Sequence, residues 1–97
     1  MVVISKKRLV EFYERIPAAR QAVLEWYDKT IKADWTKSAD VKATFATVDN
    51  PGNDRFIFNV GGNKYRLVAM IHFTTRTVYV RFIGTHQEYD KIDSTEI

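Results

Sequence analysis

No cysteine occurs among the 97 residues. That excludes a disulfide framework, a thiolate nucleophile and any cysteine-ligated zinc site. Long apolar runs are missing too, and nothing approaches the ~18 consecutive residues that a membrane-spanning helix requires. The first charges, Lys6-Lys7-Arg8, follow the short apolar run Met1–Ile4, whereas a signal peptide places them before a longer one. The chain therefore reads as unprocessed and cytoplasmic, with no membrane partner. Prolines number only two and glycines four, so breaks in regular structure should be few and well marked. The most telling absence is regional. Between Arg55 and Gln87 there is no aspartate or glutamate, and all twelve carboxylates lie outside that third of the chain.

What the acid-free stretch holds instead is Arg55, Lys64, Arg66, Arg76 and Arg81. Such a surface attracts a polyanion, because each phosphate gains cations and releases counterions. A net charge of +3 says little by itself; the clustering carries the inference. Hydrophobic content of 45% and charged content of 28% are those of a globular chain rather than a disordered one. The length suits one domain, residues 1–97, with a single core.

Local signals divide the chain in two. Val2–Ile4 is a β-branched run, suited to a strand added to a larger sheet. Ser5 stands where a helix N-cap belongs, and Leu9, Phe12, Tyr13 and Ile16 follow at helical spacing. Pro17 stops or restarts that helix. From Ala18, the positions Ala19, Val23, Trp26, Tyr27 and Ile31 predict a second amphipathic helix to about Lys32. Ser38 is placed to cap a short third helix through about Ala46, with Val41 and Phe45 inward. Asp49-Asn50-Pro51-Gly52-Asn53-Asp54 reads as a loop.

Beyond that loop the period changes to two. Phe56, Phe58 and Val60 alternate with Arg55, Ile57 and Asn59, and Gly61-Gly62 suits a two-residue hairpin turn. Strands over Lys64–Phe73 and Val78–Thr85 complete a three-strand meander. With Gly61-Gly62 and Thr75-Arg76 as turn tips, Asn59 lies opposite Lys64, Arg66 opposite Thr85 and Met70 opposite Arg81. One face then collects Phe56, Phe58, Val60, Tyr65, Leu67, Ala69, Ile71, Phe73, Val78, Val80 and Phe82. The other collects Arg55, Ile57, Asn59, Lys64, Arg66, Val68, Met70, Tyr79, Arg81 and Ile83. A one-residue slip would bury the arginines. Helices should therefore cover the first face and leave the cationic face open. The expected class is α+β, with two or three N-terminal helices on one face of a small, mainly antiparallel sheet.

Arg66, mid-sheet on the cationic face, is the first candidate to hold a phosphate. Arg81 shares that face. His86 ends the last strand, where an imidazole can act as general acid or base near neutral pH. Tyr89 can stack on a base, assist proton transfer or simply pack. Lys64, Asn59, Asn63 and Arg55 are candidates to bind RNA alongside them. His86 and Asp90 have i,i+4 spacing but no third ligand, so no metal site and no cofactor is expected. His72, Trp26 and Tyr27 read as structural.

The segments Phe58-Asn59-Val60-Gly61-Gly62-Asn63-Lys64-Tyr65-Arg66-Leu67-Val68-Ala69, Tyr79-Val80-Arg81 and Thr85-His86-Gln87-Glu88-Tyr89-Asp90-Lys91 resemble the HigB toxin family. These are RelE-like mRNA interferases of bacterial type II toxin–antitoxin systems. The resemblance covers nearly the whole chain. It implies a small α/β toxin with helices on one face of an antiparallel sheet. It also implies mRNA cleavage, in many members on the translating ribosome, and neutralisation by a HigA-type helix-turn-helix antitoxin. The family's strand arginine matches Arg66, its histidine matches His86 and its later basic position matches Arg81. The expected chemistry is metal-independent: a ribose 2′-hydroxyl attacks its own phosphate, and Arg66 with Lys64 or Arg81 stabilises the phosphorane. Two other classes compete. One is a non-catalytic toxin of the same superfamily that binds a protein target, as gyrase-directed relatives do, although those lack the His/Arg set. The other is a plain RNA-binding module, which should expose more aromatics on the basic face than Tyr79 alone.

Overall fold

A computed structural model describes all residues, 1–97. Its elements in chain order are β1 (Val2–Ile4), α1 (Lys6–Arg15), a 3₁₀ turn (Pro17–Ala19), α2 (Arg20–Lys32), α3 (Ser38–Thr44), β2 (Asp49–Gly52), β3 (Arg55–Val60), β4 (Tyr65–His72), β5 (Thr77–Thr85) and α4 (His86–Tyr89). The strands form one mixed sheet in the order β1-β5-β4-β3-β2. Only the β1–β5 pair is parallel, through Val2↔Thr77, Val3↔Val78 and Ile4↔Tyr79.

The helices form broadly where the apolar spacing puts them, but their ends are made by other means than expected. Ser5 occupies the N-cap position of α1 in extended backbone, yet its side chain makes no capping bond. Pro17 opens a 3₁₀ turn rather than α2 itself, which begins at Arg20. For α3 the cap position falls on Lys37, and the Asp40 carboxylate accepts from Thr36 N and Thr36 Oγ1, each at 2.9 Å. Those two bonds hold the Asp40 carboxyl below the ordinary carboxylate range.

In α2 the buried stripe runs Val23, Trp26 and Thr30, while Ile31 is 40% exposed. Thr30 enters the core because its hydroxyl donates to the Trp26 carbonyl at 2.7 Å and so leaves no unpaired polar atom. Around Phe58 gather Trp26, Trp35 and Phe45, with ring centroids 5.2–6.5 Å from its own. Trp35 Nε1 reaches Thr44 Oγ1 at 3.0 Å and fastens the 33–37 connection to α3. Removing a ring from such a cluster leaves a cavity that neighbours fill only in part.

Three readings of the sheet need correction. Residues 49–52, read as loop, form the edge strand β2. A turn at Asn53 and Asp54, both at positive φ (54° and 59°), folds β2 back on β3, the backbone that two-residue hairpins favour. Pro51 is tolerated because an edge strand has one unpaired side. Second, the glycine turn spans four residues, Gly61–Lys64, so Val60 faces Tyr65 and Asn59 faces Arg66. The displacement is two residues, which preserves parity; Phe56, Phe58, Val60, Tyr65 and Leu67 still share one face.

Third, the β4–β5 register shifts between Val68 and Ala69, with Ala69 opposite Val80 but Val68 opposite Phe82. Arg81 is the extra residue of a bulge, which kinks the strand and exchanges its faces. Phe82 therefore lies on the cationic side and Ile83 joins the core, the reverse of simple alternation. Met70 faces Tyr79 rather than Arg81 because the β4–β5 turn also spans four residues, Phe73–Arg76, and the bulge then sets Arg66 opposite Gly84 rather than Thr85.

The cationic face is not open throughout. The segment after α4 runs to the far end of β3, where Asn53 Nδ2 donates to Thr95 O at 3.3 Å and Arg55 Nε to Ile97 O at 2.6 Å. On that same side Ile57 (7% exposed) and Val68 (0%) are buried. Apolar residues amid the cations are thus the floor of a second, smaller packing layer. At the other end of the sheet, where β4 begins and β5 ends, Lys64 and His86 are exposed and Arg66 is half-buried.

Candidate active site

At that end the ladder runs one step past the last strand pair. Tyr65 faces Thr85, Arg66 faces Gly84, and His86 N donates to the Lys64 carbonyl at 3.3 Å. The chain then turns into α4 through a reciprocal cap. Thr85 Oγ1 accepts from Glu88 N at 3.2 Å, and Glu88 Oε1 accepts from Thr85 N at 2.9 Å. The Thr-x-x-Glu spacing makes this cap, because the first-turn donors of a helix have no intrahelical partner. Arg15 Nη2 reaches the same Glu88 oxygen at 3.1 Å. The backbone position of His86 is therefore set from two directions, by β4 through Lys64 and by α1 through Arg15.

Both the Thr85 amide and the Arg15 guanidinium favour the ionised form of Glu88 and hold its carboxyl below the ordinary glutamate range. A depressed carboxyl stabilises the folded state fully above its unfolded pKa, and the benefit disappears as pH falls through the lower folded value. Acid should thus loosen α4 from below about the ordinary glutamate pKa of 4.5. Hydrogen-exchange protection at residues 85–90, taken relative to the intrinsic exchange rate at each pH, should fall on titration toward about pH 3, ahead of protection in β3 and β4. Glu88→Gln should show fast exchange at α4 even at neutral pH.

Gly84 keeps this corner closed for a steric reason. A Cβ there would lie 2.5 Å from the Phe82 ring tip and 3.0 Å from Glu88 Oε1. Neither neighbour can yield without displacing the cap or the ring. Gly84→Ala should cost about 1–3 kcal/mol through overpacking and lower activity by moving α4. A thermal melt and a growth assay test both, and wild-type values in both would leave the steric reading without support.

The expected site residues divide by what holds them. Arg66 is half-buried and donates only to main-chain oxygens, those of Asn63 and Tyr65, both at 3.3 Å. The molecule's ion pairs are Arg15–Glu88, Lys32–Asp28 and Arg76–Asp34, with His86–Asp90 a fourth only when the imidazole is protonated, so Arg66, Lys64 and Arg81 keep their charge uncompensated. Arg76 does not; Asp34 takes it at 2.7 Å. Arg55 is committed to the C-terminal segment at the opposite end of β3. Asn59 and Asn63 sit at the glycine turn, Asn59 directly across from Arg66. His86 is exposed and its Nδ1 lies 3.4 Å from Asp90 Oδ2. With Asp90 on the Nδ1 side, Nε2 is the ring nitrogen left for substrate. Tyr89 packs its ring on Phe82 at 6.5 Å between centroids.

Three residues of this corner were not singled out for these roles. Glu88 and Arg15 were missed although Thr85-x-x-Glu88 is a legible capping signature, and Asp90 had been weighed only as a metal ligand. Nowhere do three or more His, Asp or Glu side chains converge in a metal-binding arrangement. No helix is long and apolar enough to cross a membrane.

Comparison with known proteins shows the family. The family model described as HigB_toxin, RelE-like toxic component of a toxin-antitoxin system, matches residues 19–92. The mRNA interferase toxin HigB of Escherichia coli K12 is 34% identical over 92 residues, covering 93% of this chain and 88% of that protein. The mRNA interferase HigB of Shigella flexneri matches to the same extent. The mRNA interferase HigB of Escherichia coli O6:H1 is 30% identical over 94 residues, covering 95% of this chain and 91% of its own. With helices on one face of a small mixed sheet and matches of this extent, the chain belongs to the HigB family of RelE-like toxins of toxin–antitoxin systems.

Proposed function

We propose that this toxin is an mRNA endoribonuclease that inhibits translation, acting on mRNA at the ribosome in the cytoplasm and neutralised by a HigA-type antitoxin. The observation that carries this reading is the His86 N to Lys64 O bond, which sets an imidazole-bearing turn beside two uncompensated cations. The bond that forms joins the ribose 2′-oxygen to phosphorus; the bond that breaks is phosphorus to the departing 5′-oxygen. The products are a 2′,3′-cyclic phosphate and a 5′-hydroxyl end. Arg66, with Lys64 beside it, offers donors to the phosphorane oxygens in which charge accumulates. One proton leaves the attacking 2′-hydroxyl and one reaches the departing 5′-oxygen, and His86, with Asp90 beside its Nδ1, carries one of these transfers at Nε2. Arg81, at the bulge, holds a neighbouring phosphate, and Tyr89 shapes the wall of the site through Phe82.

Expressing the chain in growing cells, with and without its antitoxin, tests the reading. Growth should stop without antitoxin, and new mRNA ends bearing 5′-hydroxyls should accumulate. Growth arrest with no new RNA ends favours inhibition of a protein target instead.

A further inference from the structure

Pairing of β1 with β5 stops at Tyr79, and from there α1 runs beside the free edge of β5. Between them lies a cleft of about 380 Å³ lined by Arg8, Glu11, Phe12, Arg15, Phe82 and Ile83, at the small end of ligand-binding clefts. Phe82 belongs both to this cleft and to the face that carries Arg66. It precedes His86 by four residues, roughly 13 Å of strand.

Glu11 is an exposed carboxylate that lines this cleft. It stands three residues after Arg8 and four before Arg15, spacings that bring side chains together on a helix. Yet Arg8 Nη1 donates to the Arg81 carbonyl at 3.3 Å and Arg15 to Glu88 at 3.1 Å, and Glu11 takes part in none of the molecule's ion pairs. A free carboxylate here would repel a phosphate. It suits the other part of a nucleotide, a base edge rich in donors. Guanine alone among RNA bases presents two adjacent donors, N1–H and N2–H, on its Watson–Crick edge, which matches an acceptor-only carboxylate two bonds to two. Phe82 offers a stacking surface, and so does the Arg15 guanidinium plane, whose centre lies 5.3 Å from the Phe12 ring.

We propose that the α1–β5 cleft binds a guanine flanking the cleaved phosphate, with Glu11 as the residue that selects it. The inference rests on the endonuclease reading and adds a specificity determinant to it.

The test maps mRNA cleavage sites in cells expressing wild type, Glu11→Gln, Glu14→Gln and Arg66→Ala. Glu14 is exposed on the same helix but outside the cleft, so Glu14→Gln controls for loss of a charge. Wild type and Glu14→Gln should share a guanine enrichment at one position beside the cut. Glu11→Gln should lower that enrichment about tenfold, within the range one bidentate base contact confers, while its melting temperature stays that of wild type. An unchanged profile in Glu11→Gln, or no guanine enrichment in wild type, overturns the cleft assignment while a silent Arg66→Ala leaves the nuclease reading standing. Absence of cleavage in wild type takes down both.

Discussion

Arg66→Ala should abolish growth inhibition while the protein stays folded. Arg66 makes only two long bonds to main-chain oxygens and no ion pair, so truncation should change stability by no more than about 1 kcal/mol. The catalytic loss should be far larger. Removing a donor aimed at developing charge costs about 2.7–4 kcal/mol, on the order of 10²–10³ in rate. The contrast between an intact melt and a lost activity distinguishes this residue from a structural one. Arg66→Lys should recover little, because a point charge does not reproduce the planar fork that meets two phosphate oxygens at once. Wild-type toxicity from Arg66→Ala at equal expression would remove it from the mechanism.

His86→Gln should bind RNA as wild type does but cleave it roughly 10²–10⁴-fold more slowly in a single turnover, the scale of a general acid–base group. Binding survives because the phosphate contacts come from Arg66, Lys64 and Arg81. The antitoxin should still bind, since exchanging one polar side chain for another alters little of a protein–protein surface. Asp90→Asn separates positioning from chemistry: it should shift the pH–rate profile, whereas a merely structural Asp90 would change only stability. If His86→Gln cuts at the wild-type rate, the proton-transfer role passes to Tyr89 or Lys64.

Much of this architecture is legible in the sequence because two simple periods write it. The stripe through Leu9, Phe12, Val23 and Trp26 announces helices. The alternation through Phe56, Phe58, Val60, Tyr65 and Leu67 announces strands and says which side they bury. Parity alone was enough to separate Arg66 from the core, even though the hairpin register was displaced by two residues. What stayed hidden depends on events that no local pattern records. The bulge at Arg81 exchanges Phe82 with Ile83, and nothing in Val78–Ile83 marks where an extra residue is absorbed. The segment 90–97 ties back to Asn53 and Arg55 through main-chain oxygens that carry no sequence signature. His86 is visible as a titratable group at a strand end, but its dependence on the tie between Glu88 and Arg15, seventy-three positions apart, follows only from the fold.

The parallel pairing of Val2–Ile4 with Thr77–Tyr79 has a consequence in time as well as in space. The first strand to leave a ribosome must wait for nearly the last, and the Arg15–Glu88 tie waits longer still. Contacts so distant along the chain close late, because loop entropy must be overcome before they contribute. A half-made chain can therefore assemble helices and even the glycine hairpin without possessing a competent site. Synthesis itself delays the hazard this protein poses to the messages being translated around it. The delay ends when the β5–α4 corner clears the exit tunnel, and with it closes the interval in which an antitoxin could engage a chain that is still harmless.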